Sequence, residues 1–246
     1  MTKFIILTRQ RTGSTVFSRS LNNHSKIICV GEIFYNGKFY KELKFPFINT
    51  FKNHKLLHNF VNFIWGLLKT NAHLTKFYNN TVSNDTQAIG FKLMLYQTRL
   101  FPLTKKWLNN KEIKKIVLVR HNPLDIYISE QRAKTFGRAH VEVNEKLIQK
   151  KIKLNTKNLL KKLKKIEKEN HILTNFAKRN KTLLIQYEDF PEWDKMIAKV
   201  IDFLGVEKEN LDPVLQKRSK GHIEDDIENY KELIGILKNT PFEKYL

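Results

Sequence analysis

The chain has 246 residues and carries 45 Lys and Arg against 24 Asp and Glu, a formal net charge of +21 at pH 7. Hydrophobic residues make up 41% of it, which excludes broad disorder. Cys29 is the single cysteine, so an intrachain disulfide and a cysteine-based zinc cluster are excluded, and the absence of any run of about 18 apolar residues excludes a membrane-spanning helix.

The first apolar stretch, Phe4 to Leu7, reads as a buried strand. It is too short for the core of a secretory leader, and arginines follow at once, so a cytoplasmic location is expected. Ser14 to Leu21 reads as a helix. Ile27 to Val30 is a second, shorter strand-like run, with Glu32 just beyond it. Residues 36–85 carry many aromatics, among them Tyr40, Phe45, Trp65, Phe77 and Tyr78, but no clean strand, and look like a mainly helical insertion. Ile89-Gly90-Phe91-Lys92-Leu93 is a third strand. Ile116 to Val119 is the clearest one, followed by Asn122-Pro123 and a helix from Leu124 to Lys134. Residues 142–180 carry a helical period through Leu147, Ile148, Ile152, Leu159, Leu163 and Ile166, with lysines between. That pattern predicts an amphipathic surface helix with solvated lysines, or else a polyanion-binding face. Leu183 to Tyr187 is the last strand, followed by a helix over Trp193 to Leu204.

Continuous apolar runs suit strands covered on both faces, and strand–helix alternation argues for an α/β sandwich with a mostly parallel sheet. The length permits one large domain or two small ones, and residues 1–246 are read as one. The positive excess predicts attraction to something anionic: a nucleic acid, an acidic membrane, or a phosphorylated or sulfated small molecule.

The segment Thr8-Arg9-Gln10-Arg11-Thr12-Gly13-Ser14-Thr15 joins the first strand to the first helix. The first turn of a helix leaves backbone N–H groups unpaired at its positive dipole end. Gly13 permits close backbone approach, Ser14 and Thr15 add hydroxyls, and Arg11 adds a charge. Together they describe a site for a phosphate-sized or sulfate-sized oxyanion. A nucleotide triphosphatase would need G-x-x-x-x-G-K-[ST], but Thr8 stands at the first position and Ser14 at the lysine. Arg120, at the end of the clearest strand, stands where a metal-binding aspartate would be expected. A cation there repels magnesium and attracts an anion.

Arg120 and Ser129 form a second cationic element. Ligands of open α/β sheets bind at the carboxyl edge of the strands, and Pro123 is placed to start the helix that carries Ser129. Asp125 suits the first turn of that helix. Glu32 has a bland alternative role, pairing with an arginine such as Arg9. His121 reads as structural and Cys29 as a buried thiol, and the eight histidines show no metal-binding spacing.

With these residues in place, the sequence resembles the sulfotransferases that use 3′-phosphoadenosine 5′-phosphosulfate (PAPS), most of all the bacterial carbohydrate branch and its Golgi relatives. The matching pieces are TRQRTGSTVFSRSL, GEIF, VRHNPLDIYISEQRA, YEDF with FLGV, and KRSKGHIEDDIENYKEL, in family order over nearly the whole chain. The resemblance implies a P-loop-like three-layer sandwich. It implies that Arg11, Thr12, Gly13, Ser14 and Thr15 wrap the 5′-phosphosulfate, and that Arg120 and Ser129 hold the 3′-phosphate. It implies Glu32 as the general base of an in-line sulfuryl transfer, with Arg11 stabilising the leaving group. Arg218 and Lys220 fall in a late basic loop that the family places near the cofactor, although the loop departs from the family's R-K-G pattern. Lys92 also matches a position near the active site. No metal is implied. The implied acceptor is a hydroxyl of a carbohydrate or glycolipid, with peripheral contact to an acidic membrane as an added expectation. The rival readings are a nucleotide-dependent kinase and a basic nucleic-acid-binding module. No groove-reading or base-stacking motif supports the latter.

Overall fold

The computed structural model describes residues 1–34, 70, 72, 74–79, 84–137, 150–179, 181–215 and 223–246. Its centre is β1 (Thr2–Thr8), whose burial is nearly complete. The sheet contains β2 (Ile27–Glu32), β3 (Ala88–Met94), β4 (Lys114–Val119) and β5 (Thr182–Gln186) in the order β2-β3-β1-β4-β5. Every adjacent pair is parallel. The chain builds one half of the sheet as far as β3, then crosses β1 to lay down β4. The strand order therefore reverses beside β1, and this is where an open α/β sheet leaves a crevice at its carboxyl edge.

Strand periodicity divides the core between two layers. On one face, Phe4 and Ile6 of β1 and Ile116 and Leu118 of β4 pack against Phe17 and Leu21 of α1 (Ser14–Leu21). Met196, Ile197 and Val200 of a later helix, Trp193–Leu204, complete that layer. On the other face lie Ile5, Leu7, Val117 and Val119, against Leu74, Phe77 and Tyr78 from residues 74–79 and against Leu173. The Tyr78 hydroxyl donates to the Phe4 carbonyl at 3.0 Å. Helices thus cover both faces of an all-parallel sheet, giving the expected three-layer α/β fold.

Several elements differ from expectation. β2 runs on to Glu32, so the glutamate ends the strand. Two short helices, α2 (Gln97–Leu100) and α3 (Thr104–Asn109), intervene before β4. Next comes α4 (Pro123–Phe136), capped by the Asn122 side chain, which accepts from the amides of Leu124 and Asp125. Of the described part of 142–180, the helical reading holds for α5 (Leu159–Ala177); Leu147 and Ile148 lie outside the described residues. Ile152 and Leu154 are not helical. Ile152 forms a parallel bridge to Ile227, and Ile152 and Leu154, two residues apart as suits extended chain, are both buried. Asn158, at φ 61°, separates this stretch from α5. After β5 a 3-10 turn, Tyr187–Glu192, leads into α6 (Trp193–Leu204), and α7 (Ile223–Asp226) and α8 (Tyr230–Leu237) follow. The extended stretch, α4, α8 and the first half of α5 share a third core cluster that includes Leu124, Tyr127, Leu163 and Leu233. Of the expected insertion, Tyr40, Phe45 and Trp65 lie outside the described residues, as do Arg218 and Lys220.

Candidate functional site

The turn between β1 and α1 is shaped by two left-handed residues, Arg11 at φ 67° and Gly13 at φ 78°. Gly13 is the N-cap of α1, and no side chain caps that end. The first-turn amides therefore keep their hydrogen-bonding capacity. Gly13 also has no room for a side chain: a Cβ there would stand 2.7 Å from the Phe190 ring and 2.8 Å from the Tyr187 ring. Thr12 braces the loop from inside. It is fully buried, its hydroxyl lies 2.7 Å from that of Thr8 and bonds to the Arg9 carbonyl, and Thr8 in turn donates to the Leu118 carbonyl at 2.8 Å. Its side chain is thus committed to the loop.

A cleft of about 960 Å³ opens at the carboxyl edge of the sheet. Arg11, Gly13, Ser14, Thr15, Glu32, Arg120 and Ser129 all line it. The two cationic elements, 109 positions apart in sequence, therefore face one space. They also touch, since Arg11 Nε donates to Ser129 Oγ at 2.9 Å.

Arg120 follows directly on β4. Asp125 holds its Nη2 at 2.5 Å, the Tyr187 ring lies 4.3 Å from its Cζ, and Asn170 of α5 donates to its backbone carbonyl at 2.6 Å. Its Nε is buried and bonds to no described residue. A buried donor left open is costly, and it marks capacity for an incoming acceptor atom. Burial pushes the Tyr187 phenol above its ordinary pKa, partly offset by Arg120. Tyr187 and Phe190 rest on Gly13, and Tyr187 carries Arg120, so one aromatic pair links the two cationic elements. The motif YEDF contained that pair, but nothing local in it indicated what the rings would support.

Glu32, also on the cleft wall, faces Lys92, with 3.5 Å between Oε1 and Nζ, and Gln97 Nε2 lies 3.5 Å from Oε2. Lys92 also donates to Thr15 Oγ1 at 3.1 Å. Its side chain is 5% exposed, and burial lowers its pKa against the opposing pull of Glu32. Arg9 does not pair with Glu32. It binds Glu130 and Glu169, each at 3.1 Å. His121 is structural in its contacts, with Nε2 2.6 Å from Gln186 Oε1. Cys29 is buried, and desolvation pushes its thiol up to about 12. Among the described residues no cluster of His, Cys, Asp and Glu is arranged to hold a metal ion. No described helix is long and apolar enough to cross a membrane.

The model of the sulfotransferase domain family matches residues 1–236. The fold is similar to that of a crystallised sulfotransferase from Alicyclobacillus acidocaldarius, with a TM-score of 0.52 and 13% identity, covering 100% of this chain and 92% of that one. It is similar to the sulfotransferase domain from the curacin biosynthetic pathway as well, with a TM-score of 0.52 and 16% identity, covering 100% and 89%. No curated protein matches the chain.

Proposed function

The chain belongs to the sulfotransferase domain family, and on that premise we propose that it moves a sulfuryl group from PAPS to a hydroxyl of a carbohydrate or glycolipid. The observation that supports this reading is the convergence of Arg11, Arg120 and Glu32 on one cleft, with Lys92 paired to Glu32. PAPS has two separated anionic ends. The uncapped start of α1, with Arg11, Gly13, Ser14 and Thr15, suits the 5′-phosphosulfate. The open Nε of Arg120, together with Ser129, suits the 3′-phosphate. Arg218 and Lys220 are further candidates for that end.

Bound there, the donor supplies the sulfuryl group and departs as 3′-phosphoadenosine 5′-phosphate (PAP). Glu32 takes the proton of the attacking hydroxyl as its oxygen bonds to sulfur. Arg11 and the loop amides stabilise the charge that gathers on the departing phosphate oxygen. Lys92 holds Glu32 beside Thr15 and supports both ends of the transfer. The chemistry is one of positioning and fixed charge, with cations doing at the leaving group what magnesium does in many phosphoryl transfers.

Residues 1–246 act as one domain in this reading, located in the cytoplasm, where contact with an acidic membrane would bring a glycolipid acceptor within reach. A thermal-shift comparison of PAP, ADP and ATP with magnesium tests the donor class. PAP raises the melting temperature most if the reading is right. Preferential stabilisation by ATP with magnesium would instead favour a kinase.

A further inference from the structure

Seven cationic side chains line the cleft, and their charges are not equally compensated. Arg9 is held by Glu130 and Glu169, Arg120 by Asp125, and Arg132 by Asp226 at 2.6 Å. Arg11 is engaged with Ser129. Lys134, Lys162 and Lys165 are exposed, and none pairs with a carboxylate among the described residues.

Their placement is regular. Lys162, Lys165, Ile166 and Glu169 recur at the spacing of one helix face, and all four line the cleft. Two contacts fix the height of that face: Glu169 binds Arg9 beside the anion loop, and Asn170 binds the Arg120 carbonyl. With a rise of about 1.5 Å per residue, Lys165 stands roughly 6 Å and Lys162 roughly 10 Å farther out along α5. On α4, Glu130 meets Arg9, and Lys134 lies one turn beyond it. The three lysines therefore edge the cleft a turn or more away from the groups that suit the donor.

We propose that Lys134, Lys162 and Lys165 form a binding strip for acidic groups on the acceptor, so that the substrate is an acidic glycan rather than a neutral one. This rests on the sulfotransferase reading above. It adds that the acceptor carries anionic groups apart from the hydroxyl that reacts. A membrane surface fits the strip less well. A helix that lies on lipid presents apolar residues outward, whereas the apolar side of α5 (Leu159, Leu163, Ile166 and Leu173) is buried in the protein, and Ile172 is its one large exposed hydrophobe.

The test is calorimetry on the PAP-loaded protein with two probes of equal length, unsulfated chondroitin hexasaccharide and maltohexaose. The uronate-bearing probe should bind more tightly, with an affinity that falls as salt rises. The K162E/K165E variant should weaken that binding about tenfold, the scale of losing two exposed ion pairs, and leave PAP affinity unchanged. K161E/K164E, on the outer side of α5, should change neither. Equal binding of the neutral probe would overturn the proposal. So would undiminished binding by K162E/K165E, an equal loss in K161E/K164E, or a loss confined to PAP. Binding to phosphatidylserine vesicles in place of the glycan would overturn it in favour of a membrane. Failure of the unaltered protein to bind PAP at all would sink the donor reading itself, and that result is read before any glycan is added.

Discussion

Replacing Gly13 by alanine tests the anion loop most directly. At φ 78° any other residue is strained, by about 1–2 kcal/mol. The added methyl would also lie 2.7 and 2.8 Å from two aromatic carbons, well inside van der Waals contact. Phe190 and Tyr187 are tied to Trp193 and Arg120, so neither ring can move alone. Overpacking of this kind costs about 1–3 kcal/mol. The two contributions give a loss of about 2–5 kcal/mol, a large share of the roughly 5–15 kcal/mol that holds a typical domain together. At about 2–4 °C per kcal/mol for a chain of this size, melting should fall by about 4–20 °C. Gly137 supplies the control. It has φ 63°, but a Cβ there would meet nothing within 4 Å among the described residues, so Gly137→Ala should cost only the backbone strain, about 1–2 kcal/mol. Differential scanning fluorimetry on both variants separates strain from crowding. Equal losses would refute the claim that the aromatic pair is rigid. Unchanged PAP affinity in a folded Gly13→Ala protein would break the proposed link from the loop through Tyr187 to Arg120.

The remaining predictions address the chemistry of the cleft. Glu32→Gln should lower turnover about a hundredfold, the scale of a lost proton acceptor, with PAP affinity unchanged by calorimetry; full turnover would remove Glu32 from the reaction. Arg120→Met should weaken PAP about tenfold to a hundredfold, as expected when a charge-assisted contact is deleted; unchanged affinity would dissolve the 3′-phosphate assignment. Lys92→Met should alter the pH dependence of stability. Burial lowers the Lys92 pKa in the folded chain, so between that value and the unfolded value of about 10.4 the unfolded state binds more protons. Stability from this group therefore rises with pH across that window and is lost as pH falls through it. Denaturant titrations from neutral to alkaline pH should show the unaltered protein gaining on Lys92→Met; a constant difference between the two would refute the claim that Lys92 titrates in a desolvated site.

Much of the layered core was legible because its signals are local. The apolar runs of β1 and β4 required cover on both faces, and both faces are covered. The boundaries of α1 and α6 fall where expected, bracketed by glycines in left-handed conformation, Gly13 before one and Gly205 after the other. The stretch around Ile152 was misread because the spacing from Ile152 to Leu159 also fits a helix, and nothing nearby announces that Ile227 is its partner. Helices of four and six residues, like α2 and α3, are too short to display a period. In the cleft, the loop and the strand-end arginine were visible from chain order alone. The contacts that fix them were not: Arg9 meets Glu130 and Glu169 across 121 and 160 positions. Lys92 did leave a trace. A lysine inside an otherwise apolar strand must either reach solvent or be buried against a partner, and with both faces of the sheet covered only the second course is open.

That buried lysine also explains how Glu32 and the turn before α1 are held in register. Lys92 Nζ touches Thr15 on the loop at 3.1 Å and faces Glu32 at 3.5 Å. β3, which carries it, is hydrogen-bonded to β1 on one side and to β2 on the other. β1 feeds the loop and β2 ends in Glu32, so the spacing between the proposed proton acceptor and the proposed leaving-group site is set by two adjacent strand pairings and one cation. Lys92 is matched with Glu32 through the pairing of β2 to β3, where a register irregularity lies between Val30 and Glu32. Regular alternation would place Val30 and Glu32 on the same face; the irregularity instead leaves Gly31 exposed and turns Glu32 toward the cleft while Val30 packs against the sheet core. An added or deleted residue at Gly31 should therefore separate Glu32 from Lys92 while leaving the loop and Arg120 in place. Such a variant would keep PAP binding and lose turnover. If it lost both together, Glu32 and the loop would not be the separable units that this strand arrangement makes them.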